Sequence, residues 1–172
     1  SAVPLELQAL VKGHDPDRPD EVDTVRGQAT VALTPGEVQS VHLVPNDPPA
    51  VVDAVDAVLD ADWVVLGPGS WFSSVIPHLL VPDLLDALVE TKARRVLSLN
   101  LAPQPGETEG FSPQRHLEVL GRHAPKLALD VVLADEAAVP DRDSLTDAAK
   151  RFGAAVELAP VARTDGTPRH DP

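Results

Sequence analysis

The sequence predicts an α/β fold: a three-layer, Rossmann-like parallel sheet with helices on both faces, plus an N-terminal antiparallel β meander or hairpin. Three observations carry this. From residue 48 onward, strand-like apolar runs alternate with helical spacings, the pattern that builds parallel sheets. Residues 1–47 carry strand-like runs. In the second half, the loops entering strands are bland, whereas those leaving strands are rich in Gly, Pro and polar residues, as at a ligand crevice beyond the carboxyl ends of parallel strands. The 172 residues amount to about one domain. They read as one structural unit, with residues 1–47 as the antiparallel β part and 48–172 as the parallel α/β part.

Val3, Leu5, Leu7, Ala9 and Val11 fall on alternate positions, which predicts a strand with one buried face. A polar loop follows, in which Asp15, Asp17, Asp20, Glu21 and Asp23 lack the glycine and final glutamate of a calcium loop. Two strand-like runs, 24–33 and 38–44, flank Thr34-Pro35-Gly36-Glu37. Proline then glycine suits a type II turn, so the two runs are expected to pair as a hairpin. After Pro48-Pro49, with Asp47 as the expected cap, Val51, Val52, Val55, Val58 and Leu59 recur at helical spacing. Next come a strand at 63–66, a short helix from Ser70 and a helix at about 83–92, with Pro77 and Pro82 marking the break. Strand 95–99, helix 113–122, strand 129–133, helix 144–152 and strand 155–158 complete the series.

Composition narrows the function. The formal charge of -13 repels nucleic acid and anionic membrane from most of the surface. No apolar run approaches the roughly 18 residues of a spanning helix, and residues 1–13 lack a secretion-signal layout. A cytoplasmic protein without membrane insertion is expected. The absence of cysteine excludes disulfides and thiolate ligands. No methionine occurs, and the chain opens in a strand-like stretch, so a longer protein is expected.

Three loops after strands concentrate candidate residues. Gly67, Pro68, Gly69 and Ser70, followed by Ser73 and Ser74, join a strand to a helix and offer backbone amides and hydroxyls to an anion. A tight turn with an ordinary serine cap fits this loop equally well. The second loop offers Asn100, Gln104, Gly106, Glu107 and Thr108. Neutral amides and hydroxyls suit a sugar or pyrimidine ring. Glu107 as a general base is the minor alternative, because no nucleophile is paired with it, and no catalytic residue is assigned. The tail carries Arg163, Arg169, His170 and Asp171. A guanidinium on an acidic protein suits a diphosphate, while position alone favours a mobile terminus. No histidine spacing suggests a metal site.

The stretches LGPGSWFSSVIPHLLVP (66–82), NLAPQPGETEGFSPQRHLEVL (100–120) and RHD (169–171) resemble the C-terminal half of the gluconeogenesis factor, or YvcK-like, family, within the 2-phospho-L-lactate transferase (CofD-like) superfamily. The resemblance runs from Val3 onward. It implies a Rossmann-like protein that binds a UDP-sugar and is linked to carbon-source-dependent growth, cell-wall synthesis and cell shape. Gly67, Gly69 and Ser70 would approach the diphosphate, Asn100, Gln104 and Thr108 would line the neighbouring pocket, and Arg169 would complete it. A homodimer or cell-wall-related protein partners are compatible with this role. The transferase branch implies instead a magnesium-assisted transfer of a phospholactyl group to a deazaflavin. Its first loop reads GPSN where this chain has GPGS, and it lacks QPGET, so the regulatory branch is expected.

Overall fold

A computed structural model of the chain describes residues 3–165, 167 and 169–171. The first unit is a three-stranded antiparallel sheet in which β1 (Glu6–Lys12) is central, with β2 (Val22–Arg26) on one side and β3 (Glu37–Val44) on the other. Alternation along β1 turns Leu7, Ala9 and Val11 into the core. The acidic loop after β1 closes around Arg18, which ion-pairs with Asp15, Glu21 and Asp23.

The expected pairing of 24–33 with 38–44 does not form. β2 and β3 both pair with β1, and between them Gln28–Ala32 forms a short helix, α1, that buries Val31. A five-residue stretch with apolar residues at 29, 31 and 32 is compatible with either period, and the helix it forms buries Val31. Gly36 does not take the left-handed φ of a type II turn. Its lack of a side chain serves close approach instead, because a Cβ there would collide with the Lys12 carbonyl and lie 2.6 Å from Val11 Cγ1.

The second unit is a four-stranded parallel sheet, β4 (Trp63–Leu66), β5 (Arg94–Ser98), β6 (Val131–Asp135) and β7 (Ala155–Ala159), ordered as in sequence. The connecting helices are α2 (Val52–Leu59), α3 (Ile76–Leu79), α4 (Pro82–Glu90), α5 (Pro113–His123) and α6 (Arg142–Lys150). The α/β class, the parallel sheet and the separate antiparallel sheet are those the sequence predicts. Two details differ. Asp47 takes φ 50 and does not cap α2, whose N-cap is Val51. The segment after Ser70 is a π-helical turn, Trp71–Val75, that runs into α3.

Leu66, Leu97 and Val132 from the sheet pack with Trp71, Phe72 and Ile76, with Leu117 and Leu120 of α5, with Leu145 of α6, and with Leu7, Val31 and Val41 of the first unit in one cluster. Registry places Val64, Leu66, Leu97, Val132, Ala134 and Val156 on one sheet face, all buried or half-buried. The opposite face is drier in composition than in environment: at the β4 edge Trp63 is 54% and Val65 60% exposed. No described helix is long and apolar enough to cross a membrane.

Candidate functional site

Because the four strands are parallel, their carboxyl ends share one edge, and the loops leaving β4 and β5 meet there with the chain's tail. They enclose a cleft of about 390 Å³ lined by Pro68, Gly69, Asn100, Leu101, Ala102, Pro103, Gln104, Pro105 and His170. Among the described residues no carboxylate lines it, although the chain has 27 acidic residues.

The β4 loop is shaped by its glycines. Gly67 has φ +74, and a Cβ there would lie 2.7 Å from the Ser98 carbonyl, so the turn packs directly on the end of β5. The Gly67–Pro68 peptide is cis. Asn100 then clamps the loop at two points: its Oδ1 accepts from Gly69 N at 3.0 Å, and its Nδ2 donates to Gly69 O at 2.9 Å. The side chain expected to read a ligand is thus first a positioning residue, with one N–H and one lone pair left over.

The second loop is held by its own side chains. Thr108, fully buried, accepts from Gln104 N through Oγ1 at 2.8 Å, and its own N–H donates to Gln104 O. This closure presents Gln104 to the cleft with Oε1 buried and unpartnered. Glu107 points elsewhere. It is 4% exposed and its Oε2 accepts from Phe72 N at 2.9 Å, inside the first turn of the π-helix. An internal carboxylate therefore already occupies one of the amides that the sequence reading offered to an anion.

A carboxylate at the end of β6 holds the tail. Asp135, buried at the end of β6, accepts from Val161 N and Ala162 N through Oδ2, each at 3.0 Å, and from Ala137 N through Oδ1. Ala162 in turn bridges His170, and this brings the imidazole into the cleft with Nε2 buried and unpartnered. Asp135 is the residue that the structure adds to the candidates, and His170 is the tail residue that it brings to the cleft. The available signal was an acidic residue ending an otherwise apolar strand, where it can cap backbone amides.

The predicted residues therefore divide. Pro68, Gly69, Asn100 and Gln104 share the cleft with His170. Gly67 and Ser74 line a separate apolar cavity beside β4 and α4, and Ser73 is buried with its carbonyl accepting from Gln28 Nε2. Gly106 and Glu107 line another cavity against residues 35–37. Ser70 caps the π-helical turn through its backbone, its carbonyl accepting from Ser74 N and Val75 N. Arg169 is exposed and is not among the residues that line the cleft.

Beneath the cleft lies an aromatic group. Trp71 meets His116 edge-on at 4.9 Å, and Phe111 meets His116 at 5.4 Å and Phe72 at 6.1 Å. Burial holds the His116 imidazole below the ordinary histidine range, partly offset by its Nδ1 contact with the Ser112 carbonyl at 2.9 Å. Among the described residues no group of three His, Cys, Asp or Glu is placed to hold a metal ion.

Residues 1–164 match the family model described as 2-phospho-L-lactate transferase CofD. A Mycobacterium tuberculosis protein carrying the provisional name gluconeogenesis factor is 51% identical over 99% of this chain, and one from Mycobacterium leprae is 50% identical over 99%. A Deinococcus radiodurans relative of the same name is 36% identical over 87%. The chain spans about half the length of the mycobacterial relatives, 50% and 48%. The fold matches a crystal structure of a UPF0052-family protein from Bacillus halodurans with a TM-score of 0.82 at 24% identity, over 99% of this chain and 57% of that one.

Proposed function

This chain belongs to the CofD family, alongside relatives named gluconeogenesis factor, and we propose that it is the nucleotide-sugar-binding part of a regulatory protein of that kind. The cleft at the carboxyl ends of β4 and β5 is the proposed site, and a UDP-sugar such as UDP-N-acetylglucosamine is the proposed ligand. One observation carries this reading: on a strongly acidic chain, the polar side chains lining the cleft among the described residues are two amides and an imidazole, with no carboxylate. A ligand bearing negative charge meets no carboxylate among the described lining residues, and Asn100, Gln104 and His170 give the wall its polar side chains. Arg169, exposed and adjacent in sequence to the cleft residue His170, is the proposed cation for a diphosphate. The role linked to this ligand is control of carbon-source-dependent growth, cell-wall synthesis and cell shape in the cytoplasm.

Isothermal titration of the full protein with UDP-N-acetylglucosamine, and a parallel incubation with a phospholactyl donor and deazaflavin, test it. Saturable binding weakened by Arg169→Ala and by Gly69→Val, without product, is the expected result. Product formation would replace regulation with transfer, and titration curves unchanged in both variants would remove the pocket.

A further inference from the structure

The tail that brings His170 to the cleft also walls a second cavity. Past β7 the chain doubles back: Arg163 N donates to Arg169 O, Asp171 N donates to Val161 O, and Ala162 bridges His170. Ala162, Arg163 and Thr167 of this return line a cavity of about 280 Å³, closed on its other side by Asp135 and the alanines that follow it. Leu101 lines both this cavity and the cleft, so the two spaces adjoin.

The polar groups of the second cavity are of both kinds. Asp135 is 7% exposed, and Val161 N, Ala162 N and Ala137 N take all but one of the lone-pair sites of its carboxylate. One acceptor site remains. Thr167 Oγ1 gives its hydrogen to Asp165 Oδ1 and keeps its lone pairs. The Arg163 guanidinium has a single ion partner among the described residues, Asp165 at 4.0 Å, so most of its donors are free. A hydroxyl group both donates and accepts, and a ring bearing several of them satisfies this carboxylate, hydroxyl and guanidinium together. A nucleobase gains most from an aromatic face to stack on, and none of the described lining residues is aromatic. A phosphoryl group would meet the Asp135 carboxylate as a like charge.

A nucleotide sugar held by its diphosphate in the cleft carries its sugar into a neighbouring space. Beyond Pro68 lies the cavity walled mostly by apolar residues such as Val58, Val64, Leu84 and Leu88, where hydroxyls lose water and gain few partners. The void of about 40 Å³ that also adjoins Leu101 has room for water only. We propose that the sugar ring occupies the cavity of Asp135, Arg163 and Thr167, and that these side chains set a preference for the sugar-bearing nucleotide over the bare nucleoside diphosphate. The proposal rests on the reading of the cleft as a nucleotide-sugar site.

The test compares the calorimetric affinities of the full protein for UDP-N-acetylglucosamine and for UDP, in the wild type and in Arg163→Gln combined with Thr167→Val. Both positions are exposed, and thermal melts confirm that the double variant folds. The expected result is tighter binding of the sugar nucleotide by the wild type, with the ratio of the two affinities reduced about tenfold in the double variant. Isotope-filtered NMR of the wild-type complex is expected to show contacts from the pyranose protons to the methyl groups of Ala137, Ala138 and Ala162. Equal losses for both ligands would assign Arg163 to the diphosphate and overturn the proposal. An unchanged ratio, or pyranose contacts to Val58 and Leu84 instead, would overturn it while leaving the nucleotide-sugar site in place. Failure of the wild type to bind either ligand would remove the nucleotide-sugar reading and this inference with it.

Discussion

Asn100 and Asp135 contribute through what they hold. Asn100→Ala removes both contacts to Gly69, so the β4 loop loses its tie to the sheet while Gly67 still packs on Ser98. The expected outcome is a loss of ligand affinity of about tenfold or more, with a stability loss of only about 1–2 kcal/mol, measured by calorimetry and urea unfolding of the same variant. Asp135→Ala removes the acceptor of Val161 N and Ala162 N, and hydrogen exchange is expected to accelerate from residue 161 onward. His116 adds a pH dependence of definite sign. Its folded-state pKa lies below its ordinary value of 6.5, so in the window just below 6.5 the unfolded chain binds the proton more tightly than the fold does. Stability from this group is therefore complete above that window and falls as pH drops through it. His116→Gln is expected to flatten that part of a curve of unfolding free energy against pH, and an unaltered slope would count against a buried neutral imidazole.

Helix starts show how much of an element is decided locally. At α5, Ser112 accepts from Arg115 N and Pro113 occupies the first turn, so the cap, the preset φ and the apolar spacing of Leu117 and Leu120 all agree. Ser112→Ala is expected to cost about 1 kcal/mol in urea unfolding, with ligand binding unchanged at saturating folded protein. Where local signals agree in this way the sequence is legible: α5, α6 and the four parallel strands fall within a few residues of expectation. Where they conflict, long-range contact decides. Thr34-Pro35-Gly36 has turn chemistry, yet Gly36 is required by the Lys12 carbonyl on another strand, and no local rule reveals that distance. The loops after the strands stand out in the sequence as a candidate site because Gly, Pro and amides cluster there. The direction of each side chain was not, which is why Glu107 was grouped with Gln104 although the closure by Thr108 turns the two apart. His170 reaches the cleft only because a carboxylate on β6 fastens the tail, a contact spanning 26 residues.

At the scale of the whole molecule, two opposing forces act on the uncovered edge of the parallel sheet. β4 is an edge strand, and beside it Trp63, Val65, Val52 and Leu59 are 54%, 60%, 68% and 41% exposed. Such an edge offers unpaired backbone groups and apolar surface to another chain. The charge of -13 resists any approach of two copies, but it acts through solvent and fades beyond about 10 Å at 0.1 M salt, whereas apolar contact does not weaken with ionic strength. The 172-residue chain is accordingly expected to self-associate more strongly as salt rises, the reverse of an ion-pair interface. Val65→Lys places a charge on the exposed face of the edge strand without touching the buried face that carries Val64 and Leu66, so it is expected to suppress association while leaving the melting temperature nearly unchanged. Sedimentation velocity across a salt series decides the matter: association that weakens with salt, or persists unchanged in Val65→Lys, would show that the contact is electrostatic or lies elsewhere on the surface.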